Sequence, residues 1–137
     1  MKQNLTEDDR RALVAYRLER AHETIKEIPY HIESGYYATA VNRMYYACYY
    51  AAVALFVSEG LQTATHNGVK TLLGLHFVHT GKLENEYGKT FARLYELRQS
   101  GDYDDFVYCD KDVTDEYYPK AEAFIQAVEE LINNSEK

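Results

Sequence analysis

The middle of the chain holds its longest uncharged stretch, and the apolar positions there run almost all round a helix. Residues 44–57 read MYYACYYAAVALFV, fourteen residues with neither a charged nor an amide side chain. Residues four apart share a helix face, so three adjacent apolar stripes cover most of the circumference. Such a helix is covered on several sides, and it is shorter than the roughly 20 residues needed to cross a bilayer. The pattern predicts the central helix of a bundle, with one side left for a second subunit through Tyr45, Tyr46, Tyr49 and Tyr50.

Four further segments show helical periodicity, and the β-branched residues never alternate as they would in a strand. Thr6 is the predicted N-cap of the first helix, whose apolar residues repeat at helical spacing until Pro29 ends it. Gly60 and Gly81 are the predicted stops of the second and third helices. We therefore expect one all-α domain over residues 1–137, an up-and-down bundle of about five helices. The predicted helices cover about 6–29, 36–59, 66–80, 84–100 and a fifth that begins after Val113 or at Pro119.

Charge is unevenly distributed along the 137 residues, whose net charge is -7. Residues 1–100 are nearly balanced, with twelve Lys and Arg against eleven Asp and Glu, whereas residues 101–137 have three against eleven. Charge therefore neither excludes nor predicts RNA binding by the first hundred residues. The stretch 102–116 is predicted to be an exposed acidic loop that attracts a basic partner.

The two cysteines cannot form a disulfide framework, and Cys48 lies in the apolar seam of the second helix. The N-terminal residues are polar and do not resemble a signal peptide. These features predict a cytoplasmic protein without a membrane association.

The end of the fourth predicted helix combines groups that can bind an anion. Arg98 continues the apolar stripe of that helix, and a guanidinium at such an edge needs a compensating partner. Gly101 is expected to adopt a left-handed conformation that brings Asp102 and Tyr103 back toward Arg98. Two interpretations stay open: a structural ion pair of Arg98 with Asp102, Asp104 or Asp105, or binding of phosphate by the planar guanidinium.

Three features together resemble the HEPN domain: the aromatic, alanine-rich segment Ala40–Ala47, His66 at the opening of the third helix, and Arg98-x4-Tyr103. The chain is more narrowly similar to small stand-alone HEPN proteins with an Arg-x-x-x-Asp-Tyr motif. The resemblance implies a homodimeric bundle, partnered by a small nucleotidyltransferase or an antitoxin, that acts as a toxin or effector on RNA or nucleotides. In some partnered members the nucleotidyltransferase attaches AMP to a tyrosine just beyond the arginine motif.

The resemblance also bears on catalysis. Many HEPN toxins are metal-independent ribonucleases that use Arg-x4-6-His, but Tyr103 stands where the histidine is expected. A phenol, with an ordinary pKa of about 10, is a poor general base near neutrality. Three functions therefore remain open: a partnered effector, a ribonuclease in which Tyr103 or His66 assists Arg98, and a non-catalytic substrate-binding helper.

Other polar residues have weaker functional interpretations. Arg43 interrupts the apolar helix, and either pairs with an acid or Tyr46, or marks a binding cleft. The arginines of the first helix are interleaved with glutamates and predict a solvated face. His76 and His79 stand three apart, but no cysteine or acid is spaced to complete a metal site. We expect neither a metal nor a cofactor, because the sequence has no Gly-rich phosphate loop and no CxxC motif.

Overall fold

A computed structural model describes residues 5–63, 65–103 and 109–135, with the backbone alone for residues 99–103. The described residues form five α-helices and no strand, which confirms the predicted all-α bundle. None of the described helices is long and apolar enough to cross a membrane. The helices are α1 (Glu7–Glu33), α2 (Tyr37–Ser58), α3 (His66–Leu73), α4 (Asn85–Tyr103) and α5 (Lys111–Ser135).

Helix α1 begins as predicted but does not end at Pro29. The hydroxyl of Thr6 accepts a hydrogen bond from the backbone N–H of Asp9 at 3.0 Å, as expected of an N-cap. Pro29 lies inside the helix, so the predicted stop there is wrong. Proline removes one backbone hydrogen bond, but Ile28 is buried and Ile32 packs on the core, so packing on both sides of Pro29 keeps the helix in place.

Helix α2 is the centre of the bundle, in agreement with the prediction. It packs against α1, α4 and α5, and Met44, Tyr45 and Leu55 are fully buried. The helix ends at Ser58, and Gly60, two residues later, has a φ of +73°. The N–H groups of Gly60 and Leu61 donate to carbonyls of the last turn, at 3.1 and 2.8 Å. These bonds satisfy helix-end acceptors that are otherwise left open.

The third predicted helix consists of two parts. Helix α3 is followed by a π-helical turn at Gly74–Val78, and the chain then reverses at Gly81, which has a φ of +81°. The wider π-helical turn holds more residues than an α-helical one. Phe77, inside this turn, is buried and stacks on Phe56 of α2 at 5.9 Å.

The observed boundaries of α4 and α5 differ most from the predicted ones. Helix α4 continues through Gly101 to Tyr103, so the expected reversal at Gly101 is wrong; glycine disfavours a helix interior by only about 1 kcal/mol. Helix α5 begins at Lys111, before both predicted starts, and Pro119 lies within it. Its N-cap is Asp110, whose carboxylate accepts a hydrogen bond from the N–H of Val113 at 3.0 Å. The predicted acidic loop is therefore helical from residue 111 onward.

Candidate functional site

Side chains from three helices meet on the side of α2 that faces α3 and α4. Tyr45, Tyr46 and Tyr49 come from α2, His66 from the first turn of α3, and Arg98 from α4. We call these five residues the Arg98 site. Tyr45 is fully buried, and the other four are half-buried.

Arg98 is held against the faces of two tyrosines. Its Nη2 atom donates a hydrogen bond to the hydroxyl of Tyr46 at 3.1 Å. Its Cζ atom lies 5.4 Å from the ring centres of both Tyr45 and Tyr46, within the range of cation–π attraction. The guanidinium therefore keeps its charge at a defined place at the edge of the bundle, without full exposure to water.

His66 is positioned by the start of α3. The hydroxyl of Thr65 accepts a hydrogen bond from the N–H of Gly68 at 2.9 Å and caps this helix. The Nδ1 atom of His66 lies 2.8 Å from the hydroxyl of Tyr45. Its ring is 4.6 Å from the ring of Tyr49 and meets Tyr46 edge-on at 5.8 Å. His66 thus shares Tyr45 and Tyr46 with Arg98, which the sequence did not establish.

Burial and the nearby charge of Arg98 both lower the pKa of His66 below its usual 6.5. The imidazole is therefore neutral at neutral pH. Burial also raises the pKa of Tyr45 far above the usual range, although the Arg98 charge opposes the rise. Tyr45 consequently remains a protonated phenol.

The burial of Tyr45 also bears on the predicted dimer interface. Tyr45 has no exposed surface, so its side chain has nothing to offer a second subunit, and its place in that interface is corrected. Tyr46, Tyr49 and Tyr50 are half-buried within the single chain, and their role in association stays a prediction.

Two further cations contact tyrosines on α2 and α4, and the sequence interpretation missed both. The Nη2 atom of Arg20 on α1 donates to the hydroxyl of Tyr50 at 3.3 Å, and its Cζ atom lies 5.1 Å from that ring. Lys70 on α3 places its Nζ atom 4.9 Å from the ring of Tyr95 on α4. The sequence predicts a solvated face for Arg20, because glutamates flank it along the chain.

Arg43 on α2 forms an ion pair with α1. Of the two alternatives for Arg43, pairing with an acid or a place in a binding cleft, this contact is the structural one. Its Nε atom donates to the carboxylate of Glu27 at 2.7 Å. Burial by itself raises the pKa of Glu27, but the hydrogen bonds from Arg43 and His31 outweigh it and the net shift is downward. A ligand of Arg43 would therefore have to compete with the carboxylate of Glu27.

Two predicted site residues lie at the C-terminal end of α4. The side chains of Asp102 and Tyr103 lie outside the described residues, so their binding and catalytic roles remain predictions. Across the described ranges, no three His, Cys, Asp or Glu residues lie close enough together to hold a metal ion.

The Arg98 site has the components needed to hold a phosphate group. A guanidinium offers planar donors that match phosphate oxygens, and a neutral imidazole offers one more hydrogen-bonding nitrogen. The tyrosine rings supply apolar faces next to these donors. The arrangement thus suits a ligand that combines phosphate with a flat ring.

Comparison with known proteins agrees with this fold. The HEPN domain family matches residues 14–131. A UPF0332 protein of Thermotoga maritima is 33% identical over 127 residues, which is 93% of this chain and 96% of that relative. In Methanocaldococcus jannaschii, the protein named "Putative toxin MJ0605" is 36% identical over 103 residues, 75% of this chain and 76% of the relative. A second protein of that organism, named "Putative toxin MJ0142", is 24% identical over 115 residues, 84% of this chain and 78% of its own length.

Proposed function

Since the chain belongs to the HEPN domain family, we propose that it is a toxin-type effector that acts as a homodimer, with a nucleotidyltransferase-type partner, on RNA or nucleotides. The observation that supports this most directly is the Arg98 guanidinium, held by Tyr46 next to the ring of His66. The names of two relatives from Methanocaldococcus jannaschii, which contain the word toxin, point the same way.

Single-stranded RNA is the ligand that the surrounding contacts favour. Arg20 lies over Tyr50, whose ring is 6.3 Å from that of Tyr46, and Tyr46 in turn contacts Arg98. Cations that alternate with aromatic rings are typical of surfaces on which unpaired bases stack, at about 1–3 kcal/mol per base. A continuous duplex track would instead require a dense basic run, which the sequence lacks.

Charge and exposed rings support the proposed partners. Half-buried Tyr46, Tyr49 and Tyr50 leave aromatic surface for a second copy, and light scattering at tens of micromolar concentration tests the dimer. Residues 101–137 hold eleven acidic and three basic residues, and this negative charge favours a partner with a basic surface. A nucleotidyltransferase or an antitoxin encoded by the adjacent reading frame is the proposed partner.

Inducible expression in a heterologous bacterium tests the toxin-type role. Wild type is expected to arrest growth, and Arg98→Ala is expected to relieve the arrest. Arg93→Ala is the matched control, because Arg93 is an exposed arginine five residues earlier on α4 whose side chain pairs with Glu96. Co-expression of the partner should restore growth with wild type. Growth arrest that survives Arg98→Ala, or no arrest by folded wild type, would overturn the proposal.

Intact-mass measurement after the same co-expression tests modification of Tyr103. A gain of one adenylyl group that is lost in Tyr103→Phe supports the AMP transfer implied by the family resemblance. An unchanged mass, or a gain that persists in Tyr103→Phe, excludes Tyr103 as the modified residue.

A metal-independent ribonuclease is the second candidate, and the proximity of His66 to Arg98 favours it. His66 offers, near Arg98, an imidazole hydrogen-bonding group that the Arg-x4-Tyr motif lacks. Cleavage of a mixed RNA pool should then require both Arg98 and His66 and should be insensitive to chelators. RNA binding that depends on Arg98 without any cleavage would instead support the non-catalytic helper.

A further inference from the structure

Only one direction of the hydrogen bond between Tyr45 and His66 leaves no buried donor without an acceptor. The phenol either donates to Nδ1 of the imidazole or accepts a hydrogen from it, over the 2.8 Å between the two atoms. If it accepted, its own hydrogen would need another acceptor, and the described residues offer the hydroxyl no second hydrogen bond. A buried donor left without a partner costs about 1–3 kcal/mol. The phenol therefore donates, and Nδ1 accepts.

The direction of this bond decides where the hydrogen of the imidazole sits. A neutral imidazole carries one hydrogen, and when Nδ1 accepts, that hydrogen is on Nε2. In the described part of the chain, Nε2 hydrogen-bonds to no protein atom, so it is left for solvent or a ligand. The rings of Tyr49 and Tyr46 hold the imidazole in orientation.

We propose that Tyr45 is a positioning residue that fixes His66 as the Nε2–H tautomer, so that His66 and Arg98 together donate hydrogen bonds to the oxygens of one phosphate group. The phosphate ligand rests on the proposed function, whereas the tautomer rests only on the Tyr45–His66 contact. His66 then serves as a donor in this site and not as a general base, because the nitrogen that could accept a proton is already occupied by the phenol. The groups facing the imidazole are Tyr45, Tyr46 and Tyr49 from α2 and Arg98 from α4.

Long-range nitrogen–proton NMR of the uniformly ¹⁵N-labelled full chain reads the tautomer directly at neutral pH. His66→Gln assigns the signals of His66 by their loss. We expect wild type to show a protonated Nε2 and an unprotonated Nδ1, and Tyr45→Phe to show a mixture of tautomers. Tyr46→Phe is the matched control, since its hydroxyl bonds to Arg98 and not to His66. If Tyr45→Phe does not fold, the wild-type spectrum alone decides. A wild-type Nδ1–H tautomer or a mixture of tautomers overturns the positioning role of Tyr45.

Titration with inorganic phosphate tests the ligand. Phosphate is expected to shift the signals of His66 Nε2 and Arg98 Nε, and Tyr45→Phe is expected to weaken its affinity about twofold, because about half of the imidazoles in a mixture of tautomers carry the hydrogen on Nε2. A fixed Nε2–H tautomer without any response to phosphate overturns the donor role and the phosphate-binding part of the proposed function. A response to phosphate from an imidazole of mixed tautomers overturns only the positioning role of Tyr45.

Discussion

Tyr46 is the residue through which the Arg98 site is held together, and two substitutions separate what its hydroxyl and its ring contribute. The hydroxyl accepts the 3.1 Å hydrogen bond from Arg98. The ring lies 5.4 Å from the guanidinium and 5.8 Å from the ring of His66. Tyr46→Phe removes only the hydroxyl, and Tyr46→Leu removes the ring as well.

The expected losses follow from these contacts. One hydrogen bond between a half-buried hydroxyl and a guanidinium contributes about 1 kcal/mol to the free energy of unfolding, so Tyr46→Phe should lower it by that amount. Tyr46→Leu also removes a cation–π contact of about 0.5–1 kcal/mol and an aromatic pair of about 0.5–1.5 kcal/mol. Its total loss should be about 2–3.5 kcal/mol. For a chain of 137 residues, each 1 kcal/mol lowers Tm by about 3–5 °C.

Scanning calorimetry and urea unfolding at neutral pH measure both losses. Tyr30→Phe is the control, because Tyr30 is 68% exposed and, among the described residues, its ring pairs with no aromatic ring other than that of the neighbouring His31. Its free energy of unfolding should stay within about 0.5 kcal/mol of wild type. The reasoning is refuted if Tyr46→Phe behaves as the control does, or if Tyr46→Leu is no worse than Tyr46→Phe.

Four other substitutions test the account of the fold and of His66. Arg43→Ala should lower the free energy of unfolding by up to about 1 kcal/mol at neutral pH, since the pair with Glu27 is half-exposed. Because the pKa of Glu27 is lowered from 4.5, this loss should vanish as pH falls through the lowered value, which urea unfolding at two pH values can show. Gly60→Ala should cost about 1–2 kcal/mol by calorimetry because of its φ of +73°, whereas Gly74→Ala, at a φ of -62° with open space at its Cβ, should be neutral or stabilising. His66→Gln should reduce the loss of thermal stability on acidification: the folded pKa of His66 is below 6.5, so the wild type loses stability as pH falls from 6.5 through that lower value.

The sequence predicted the ends of helices correctly where an end depends on a few neighbouring residues. Thr6, Gly60 and Gly81 act through a side-chain cap or a left-handed backbone, which depend on a few neighbouring residues. Pro29 and Pro119 gave wrong predicted helix boundaries, because a proline disfavours a helix only locally. Packing of the surrounding apolar face decides whether the helix continues past it. The sequence alone could have predicted Asp110 as the N-cap of α5, since aspartate is a strong N-cap residue.

The candidate site was only partly accessible from sequence. The sequence singles out Arg98 by its position on an apolar stripe, and His66 by its place at a helix start from which it could assist Arg98. Their meeting through Tyr46 depends on how α2, α3 and α4 pack, and Tyr46 lies 52 residues from Arg98. The contact of Arg20 with Tyr50 spans 30 residues and was missed for the same reason.

Binding of a fluorescently labelled single-stranded RNA oligonucleotide, followed by anisotropy, tests the central claim most directly. Arg98→Gln and Arg93→Gln remove the same charge from the same helix, but of the two arginines only Arg98 belongs to the Arg98 site. The account predicts that Arg93→Gln binds like wild type and that Arg98→Gln loses about tenfold or more in affinity, as expected for a charged hydrogen bond to phosphate. Equal affinities of the two variants, or no binding by wild type, would contradict it.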